Sequence, residues 1–232
     1  MNRFPGTQHL VFDADDTLWE NNVHFERAVE AFLDWLDHPS LTRDEVRAVI
    51  DETELANAGS HGYGSAAFGR NLVQASERLL PRRLDEAEVA VVLGFGERVR
   101  SQPLQLIAGV AETLAALAPR HDLTLLTKGQ PEEQRAKIER SGLGPWFRRA
   151  EIVPEKRADT YLALVADLGL DPARTWMIGN SPKSDINPAI AAGLGAVWIP
   201  HAVTWRLELQ EVDGSHDRLL TVERFSDLLT HF

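Results

Sequence analysis

At 232 residues the chain suits one large domain, or a core carrying a smaller insert, and it is long enough to bury a substantial hydrophobic core. Apolar residues make up 44% and charged residues 25%, a globular balance that excludes disordered, collagen-like and fibrous chains. The 24 Lys and Arg against 35 Asp and Glu leave a net charge of −11, which repels phosphate backbones and argues against nucleic-acid partners. A small anionic substrate stays possible, because a bound metal ion can invert the local field.

There is no cysteine, which excludes disulfides, thiolate zinc sites, iron–sulfur clusters and cysteine nucleophiles, and suits a reducing cytosol. Only Leu10-Val11-Phe12 is apolar before Asp13, too short for a signal peptide, and no window reaches the length of a membrane span. The expectation is a soluble cytoplasmic protein without membrane partners, a monomer or small homo-oligomer.

The first strand-length apolar run is His9-Leu10-Val11-Phe12. Helical patterns follow it. Phe25, Val29, Phe32, Leu33 and Leu36 keep helical spacing and stop before Pro39, and Thr42-Arg43-Asp44-Glu45 is a capping box that opens the next helix. The stretch Ala58–Ser65, with three glycines, reads as the connection to a third helix over 65–80, and a fourth is predicted over 86–100. Apolar runs then return at Leu123–Leu126, Ala150–Val153, Thr175–Ile178 and Ala196–Ile199. Helices are predicted between them over Pro131–Ser141, Asp159–Leu168 and Asp185–Ala192, the last two ended by Gly169 and Gly193. This alternation predicts an α/β protein with a Rossmann-like parallel sheet core flanked by helices. About 110 residues separate Phe12 from Leu123, where a βα unit needs roughly 30, so an all-helical insert after the first strand is expected. The predicted division is 1–19 with 102–232 as the core and 20–101 as the insert, with a substrate cleft between them.

Parallel sheets bind ligands beyond the carboxyl ends of their strands. There the sequence places Asp13, Asp15, Asp16 and Thr17 after the first run, and Thr127 and Lys128 after the second. Glu155 and Lys156 follow the third, and Gly179, Asn180, Ser181 and Asp185 the fourth. Asp13 and Asp15, two apart in extended chain, point to one side, and their mutual repulsion calls for a cation or a shared proton. Magnesium, with its preference for oxygen ligands, fits. An Asp-x-Asp alone fits an acidic turn equally well.

Leu10-Val11-Phe12-Asp13-Ala14-Asp15-Asp16-Thr17-Leu18 resembles the first motif of the haloacid dehalogenase superfamily, and Leu125-Leu126-Thr127 its second. Lys156 stands where the third motif has its lysine, and Gly179-Asn180-Ser181-Pro182-Lys183-Ser184-Asp185 is similar to the fourth. The insert after the first motif matches the family's C1-type helical cap. The resemblance implies a phosphatase that uses Mg2+ on a small phosphorylated metabolite. Asp13 would be the nucleophile, Asp15 the general acid and then base, and Thr127 and Lys156 the holders of the phosphoryl oxygens. Asp13, Asp15, Asn180 and Asp185 would hold the metal. The presence of Asp15 argues against true dehalogenases, which lack the second Asp.

Two departures stand out. Asn180 occupies a position usually held by Asp, which removes one negative charge. Lys128, where the family often has Asn, is either an extra phosphate contact or an exposed loop lysine. His61 and Tyr63, within the glycine-rich connection, are either substrate-reading residues or part of an ordinary linker, and His201 and Trp205 either line the rim or simply pack. Alternative functions are a phosphomutase or other phosphotransferase of the family, and a non-catalytic metabolite-binding relative. Phosphonate cleavage would need a cap lysine, and residues 20–101 contain none.

Overall fold

The computed structural model describes Phe4 and residues 6–232, leaving aside the side chain of His61. The chain forms two compact units, one of residues 104–232 with the N-terminal segment up to Glu20, the other Asn21–Pro103.

The first unit is built on a six-stranded sheet: β1 (His9–Phe12), β2 (Asp122–Lys128), β3 (Arg149–Val153), β4 (Thr175–Gly179), β5 (Gly195–Trp198) and β6 (Leu219–Thr221). The spatial order is β3-β2-β1-β4-β5-β6, and every neighbouring pair is parallel. Successive side chains alternate between faces, and each face has its own core. Leu10, Phe12, Leu123, Leu125, Trp176 and Ile178 pack on one side with α5 (Val110–Leu117) and the C-terminal Phe225, Leu228 and Phe232. Val11, Leu126 and Met177 pack on the other, against Tyr161 and Leu164 of α7 (Ala158–Leu168). The chain leaves β1 toward β2 and β3 on one side, and returns through β4 to β5 and β6 on the other. β1 therefore sits at the switch point, with Phe12 in register with Leu125 on one neighbour and Ile178 on the other. That register brings the residues after β1, β2 and β4 to one edge.

The second unit is helical: α1 (Asn22–Leu36), α2 (Arg43–His61), α3 (Ser65–Leu79) and α4 (Glu86–Arg100). The Thr42/Glu45 capping box is formed as expected, and a second one, Asp85/Glu88, opens α4. The apolar faces meet around Phe32, Ile50, Leu72 and Val92, all fully buried. Aromatic contacts, Phe25 on Phe68 with centroids at 5.2 Å and Phe32 on Phe95 at 5.9 Å, are edge-on in both cases. No helix among the described residues is long and apolar enough to cross a membrane.

Three local expectations change. Ala58–His61 continues α2 instead of forming a loop, so the connection shrinks to Gly62–Gly64; a mid-helix Gly costs only about 1 kcal/mol, and the Ser60 hydroxyl donates to the Asn57 carbonyl. The helix expected over Asp185–Ala192 is a π-helical turn, Pro182–Ile186, running into α8 (Asn187–Ala191). Helix α5 and strand β6 are additional.

Phe32 has no exposed surface and touches both Trp35 and Phe95. Phe32→Ala is expected to destabilise the helical unit by about 3–5 kcal/mol, measured by denaturant unfolding followed by far-ultraviolet circular dichroism.

Candidate active site

The loop after β1 turns back on itself. The N–H groups of Thr17 and Leu18 donate to the Ala14 carbonyl, and Asp16 takes a left-handed conformation, which Asp tolerates better than most residues. This tight turn returns the Thr17 hydroxyl to Asp13, to which it donates at 2.9 Å. Asp13 is itself fixed by its N–H to the Ile178 carbonyl of β4. Lys156, three residues beyond β3, donates to Asp13 Oδ1 at 2.5 Å and to Asp185 Oδ1 at 2.8 Å. The ammonium is thus gripped by two carboxylates in a buried place, its side chain 1% exposed.

Asp185 reaches this point because the π-helical turn swings it back over Gly179. A Cβ on Gly179 would stand 2.2 Å from Asp185 Oδ2, so only glycine leaves room for that carboxylate. Its second oxygen accepts the Ser181 N–H at 2.9 Å. Burial and the Asp13 charge push the Asp185 carboxyl up to about 7, against the opposing pull of Lys156 and the Ser181 N–H. Burial works against the charged Lys156 ammonium, yet the two carboxylates hold it protonated above its usual range.

Asn180 adds a neutral oxygen. Its Oδ1 lies 3.3 Å from the Thr17 hydroxyl, whose one proton is given to Asp13 at the shorter distance, and its Nδ2 donates to the Thr204 hydroxyl at 3.2 Å. The Thr204 hydroxyl already donates to the His201 carbonyl, so it meets Asn180 as an acceptor, and an amide answers that where a carboxylate would not. At the end of β2, Thr127 Oγ1 is buried with no hydrogen-bond partner, an orphan hydroxyl beside β1. Buried polar groups are rarely left so.

The structure thus brings together Asp13, Thr17, Lys156, Asn180 and Asp185. Asp15 is placed differently: its carboxylate is turned to Trp19 in its own loop and to Gln134 and Lys137 of α6 (Pro131–Ser141). Burial alone would raise that carboxyl; the Lys137 charge and the donors around it hold it below its usual range. Lys128 is neither an exposed loop lysine nor turned outward. It donates to Glu208 at 2.6 Å and to the Ser184 hydroxyl at 3.0 Å, a nearly buried ion pair that also engages the Ser181 hydroxyl through Glu208 Oε2. Burial would raise the Glu208 carboxyl, and Lys128 brings it below its ordinary value. Tyr63 is half-buried in the connection after α2, and the side chain of His61 lies outside the described residues.

A model of the haloacid dehalogenase-like hydrolases matches residues 7–193. The chain belongs to that family. This hydrolase is 26% identical over 201 residues to N-acylneuraminate-9-phosphatase of Rattus norvegicus, covering 82% of this chain and 81% of the relative. It is 35% identical over 96 residues to phosphoserine phosphatase of Thermus thermophilus, covering 38% of this chain and 39% of that one. Among solved structures, a haloacid dehalogenase-like hydrolase from Xanthomonas campestris superposes with a TM-score of 0.80 at 29% identity, covering 96% of this chain and 92% of the other.

Several residues of the hydrolase's site carry no sequence signal of their own. Gln134 and Lys137 lie in a helix rich in charged residues, and Glu208 lies in a single 3-10 turn, Arg206–Glu208, well past β5. One further cluster stands at the same edge. The ligand atoms of Asp16, Glu20 and His201 lie within 4.8 Å of one another, with His201 Nε2 3.2 Å from Glu20 and Nδ1 accepting the Val203 N–H. The two ring nitrogens are thereby committed to different neighbours.

The Lys128–Glu208 pair makes a stability prediction. Glu208→Leu leaves Lys128 with the longer contact to Glu155, at 3.4 Å, and is expected to destabilise by about 1–3 kcal/mol, whereas the double variant Lys128→Met/Glu208→Leu recovers most of that loss. Denaturant midpoints of the single and double variants measure the difference.

Proposed function

We propose that this hydrolase is a Mg2+-dependent phosphatase acting on small phosphorylated metabolites through an aspartyl-phosphate on Asp13. The observation that carries the reading is the setting of Asp13: a carboxylate at the switch point of a parallel sheet, oriented by Thr17 and Lys156, next to an orphan threonine hydroxyl.

The donor set fits magnesium. Asp13, Asn180 and Asp185 offer only oxygen ligands, two of them carboxylates whose close approach a divalent cation favours. When bound, the cation supplies charge neutralisation and Lewis-acid polarisation of a phosphoryl oxygen. The side chain of Asp15, engaged by Lys137 and Gln134, enters as the proton carrier and not as a ligand.

The chain's own groups then act in sequence. An Asp13 oxygen attacks phosphorus; the bond from phosphorus to the leaving oxygen breaks, and that oxygen takes a proton from Asp15, which has first to gain it by displacing one of the donors that hold it ionised. Thr127 and Lys156 hold the phosphoryl oxygens as charge builds on them. Asp15, now a carboxylate, takes a proton from water, whose oxygen attacks the aspartyl-phosphate; inorganic phosphate leaves and Asp13 is restored. The relatives are named as phosphatases of N-acylneuraminate 9-phosphate and of phosphoserine, both small phosphate esters, which supports the substrate class. The helical unit serves in this reading as the cap that selects among such esters, with His61 and Tyr63 as its substrate-reading residues.

Asp13→Asn is expected to keep the melting temperature and lower turnover of p-nitrophenyl phosphate at least about 1000-fold, because an amide cannot form the covalent intermediate. Near-wild-type turnover would remove Asp13 from the nucleophile role. Activity is expected to vanish in chelator and to return with Mg2+. Asn180→Asp is expected to lower the Mg2+ concentration needed for half-maximal rate, by adding a charge that Thr204 accommodates on turning its hydroxyl; an unchanged Mg2+ titration would place Asn180 away from the ion.

A further inference from the structure

The Asp15 carboxylate is held on every side. Oδ1 accepts from Trp19 Nε1 at 2.7 Å and from Lys137 Nζ at 2.7 Å. Oδ2 accepts from Gln134 Nε2 at 2.8 Å and from Lys137 Nζ at 2.8 Å. Gln134 and Lys137 are three apart on one face of α6, and both are buried although the helix is otherwise largely charged and exposed. The chain makes room for them. Gly129, with φ +145°, leaves open the space where a Cβ would stand 2.9 Å from Gln134 Nε2, and the same amide also donates to the Lys128 carbonyl at 2.7 Å.

We propose that Lys137, assisted by Gln134, is a positioning residue that fixes the plane of the Asp15 carboxyl for proton transfer to the leaving oxygen. The proposal rests on the reading of Asp15 as acid and base given above. A carboxylate has about four lone-pair sites, and the four N–H contacts fill them. A proton that enters displaces one donor. Trp19 and Gln134 each hold a single oxygen, whereas Lys137 spans both and stays attached whichever oxygen carries the proton. The proton passes from Asp15 to the leaving oxygen, and a later one returns from water. Without the ammonium, a proton that displaces Trp19 or Gln134 leaves the carboxyl held by one oxygen and able to turn about its own bond, and displacements of about 1 Å at a catalytic group are worth up to about 100-fold in rate.

An ion pair that merely fastens α6 to the loop after β1 would make the same contacts, so the test must separate the two. Phenyl phosphate and p-nitrophenyl phosphate share a shape and differ in how much the leaving oxygen needs a proton. In full-length protein with Mg2+, kcat/KM reports the step in which the leaving group departs. Lys137→Met is expected to lose about 10-fold more on phenyl phosphate than on p-nitrophenyl phosphate. Lys137→Arg, which can still span both oxygens, is expected to restore the wild-type ratio. Asp15→Asn sets the scale, with a larger contrast still. Equal losses on both esters for Lys137→Met, or no loss on either, would overturn the proposal and leave Lys137 a structural fastening. Should Lys137→Met fail to fold, Gln134→Ala is read by the same criterion. If Asp15→Asn itself shows no contrast, the assignment of Asp15 as the acid falls, an outcome distinct from failure of Lys137 alone.

Discussion

A single buried ammonium organises the site. Lys156 stands beyond β3, yet its Nζ lies between Asp13, at the end of β1, and Asp185, past the end of β4. Removing an ammonium from water costs several kcal/mol even after relaxation, and nothing but close carboxylates offsets that. The reverse holds as well: Asp13 and Asp185 cannot share this place as anions without a cation between them. The three residues come from separate parts of the chain and are mutually obligatory. Thr17, Asn180 and the bare backbone of Gly179 then fall into place around them.

The same logic extends along the sheet edge. The whole chain has only four lysines, Lys128, Lys137, Lys156 and Lys183, and 20 arginines carry the remaining positive charge. All four lysines meet a partner at or beside this edge: Glu208, Asp15, the Asp13/Asp185 pair and the Leu207 carbonyl. Surface ion pairs elsewhere, such as Arg43 with Glu30 and Arg82 with Glu88, use arginine. Lysine offers a compact point charge that fits between carboxylates at this edge, while in the helical unit the planar guanidinium of Arg47 makes the nearly buried pair, with Glu26 and Asp51.

What could be read from sequence was what immediately follows an apolar run. Asp13, Thr127, Lys156 and Asn180 each come within three residues of a strand end, so strand prediction carried them to the right edge. Helix α6 was legible to the residue, because Pro131 opens it and Gly142 closes it. Its inward face was not. Gln134 and Lys137 sit among glutamates and arginines, and hydrophobic periodicity is blind to a helix face that turns polar side chains inward. Glu208 was hidden for a different reason, since the partner of a residue in a single 3-10 turn depends on tertiary path alone. Helix α5, a short Val-Ala-Leu stretch with one charged residue, offered no polar face to set its phase. β6 is three residues long and below what alternation can detect.

The place of β1 in the sheet has a consequence for how the protein reaches its native state. His9 pairs with Asp122 on one side and with Thr175 on the other, so the central strand has no partner close to it in sequence. The helical unit, by contrast, is one continuous stretch, Asn21–Pro103, with a hydrophobic core of its own. During synthesis this unit can complete its core while β1 still waits, an apolar segment with both edges open. Its closure entropy is met only when β2 and β4 emerge, which makes the sheet the part of the molecule with the higher contact order, and the residues gathered after β1, β2 and β4 come together only once those strands have paired.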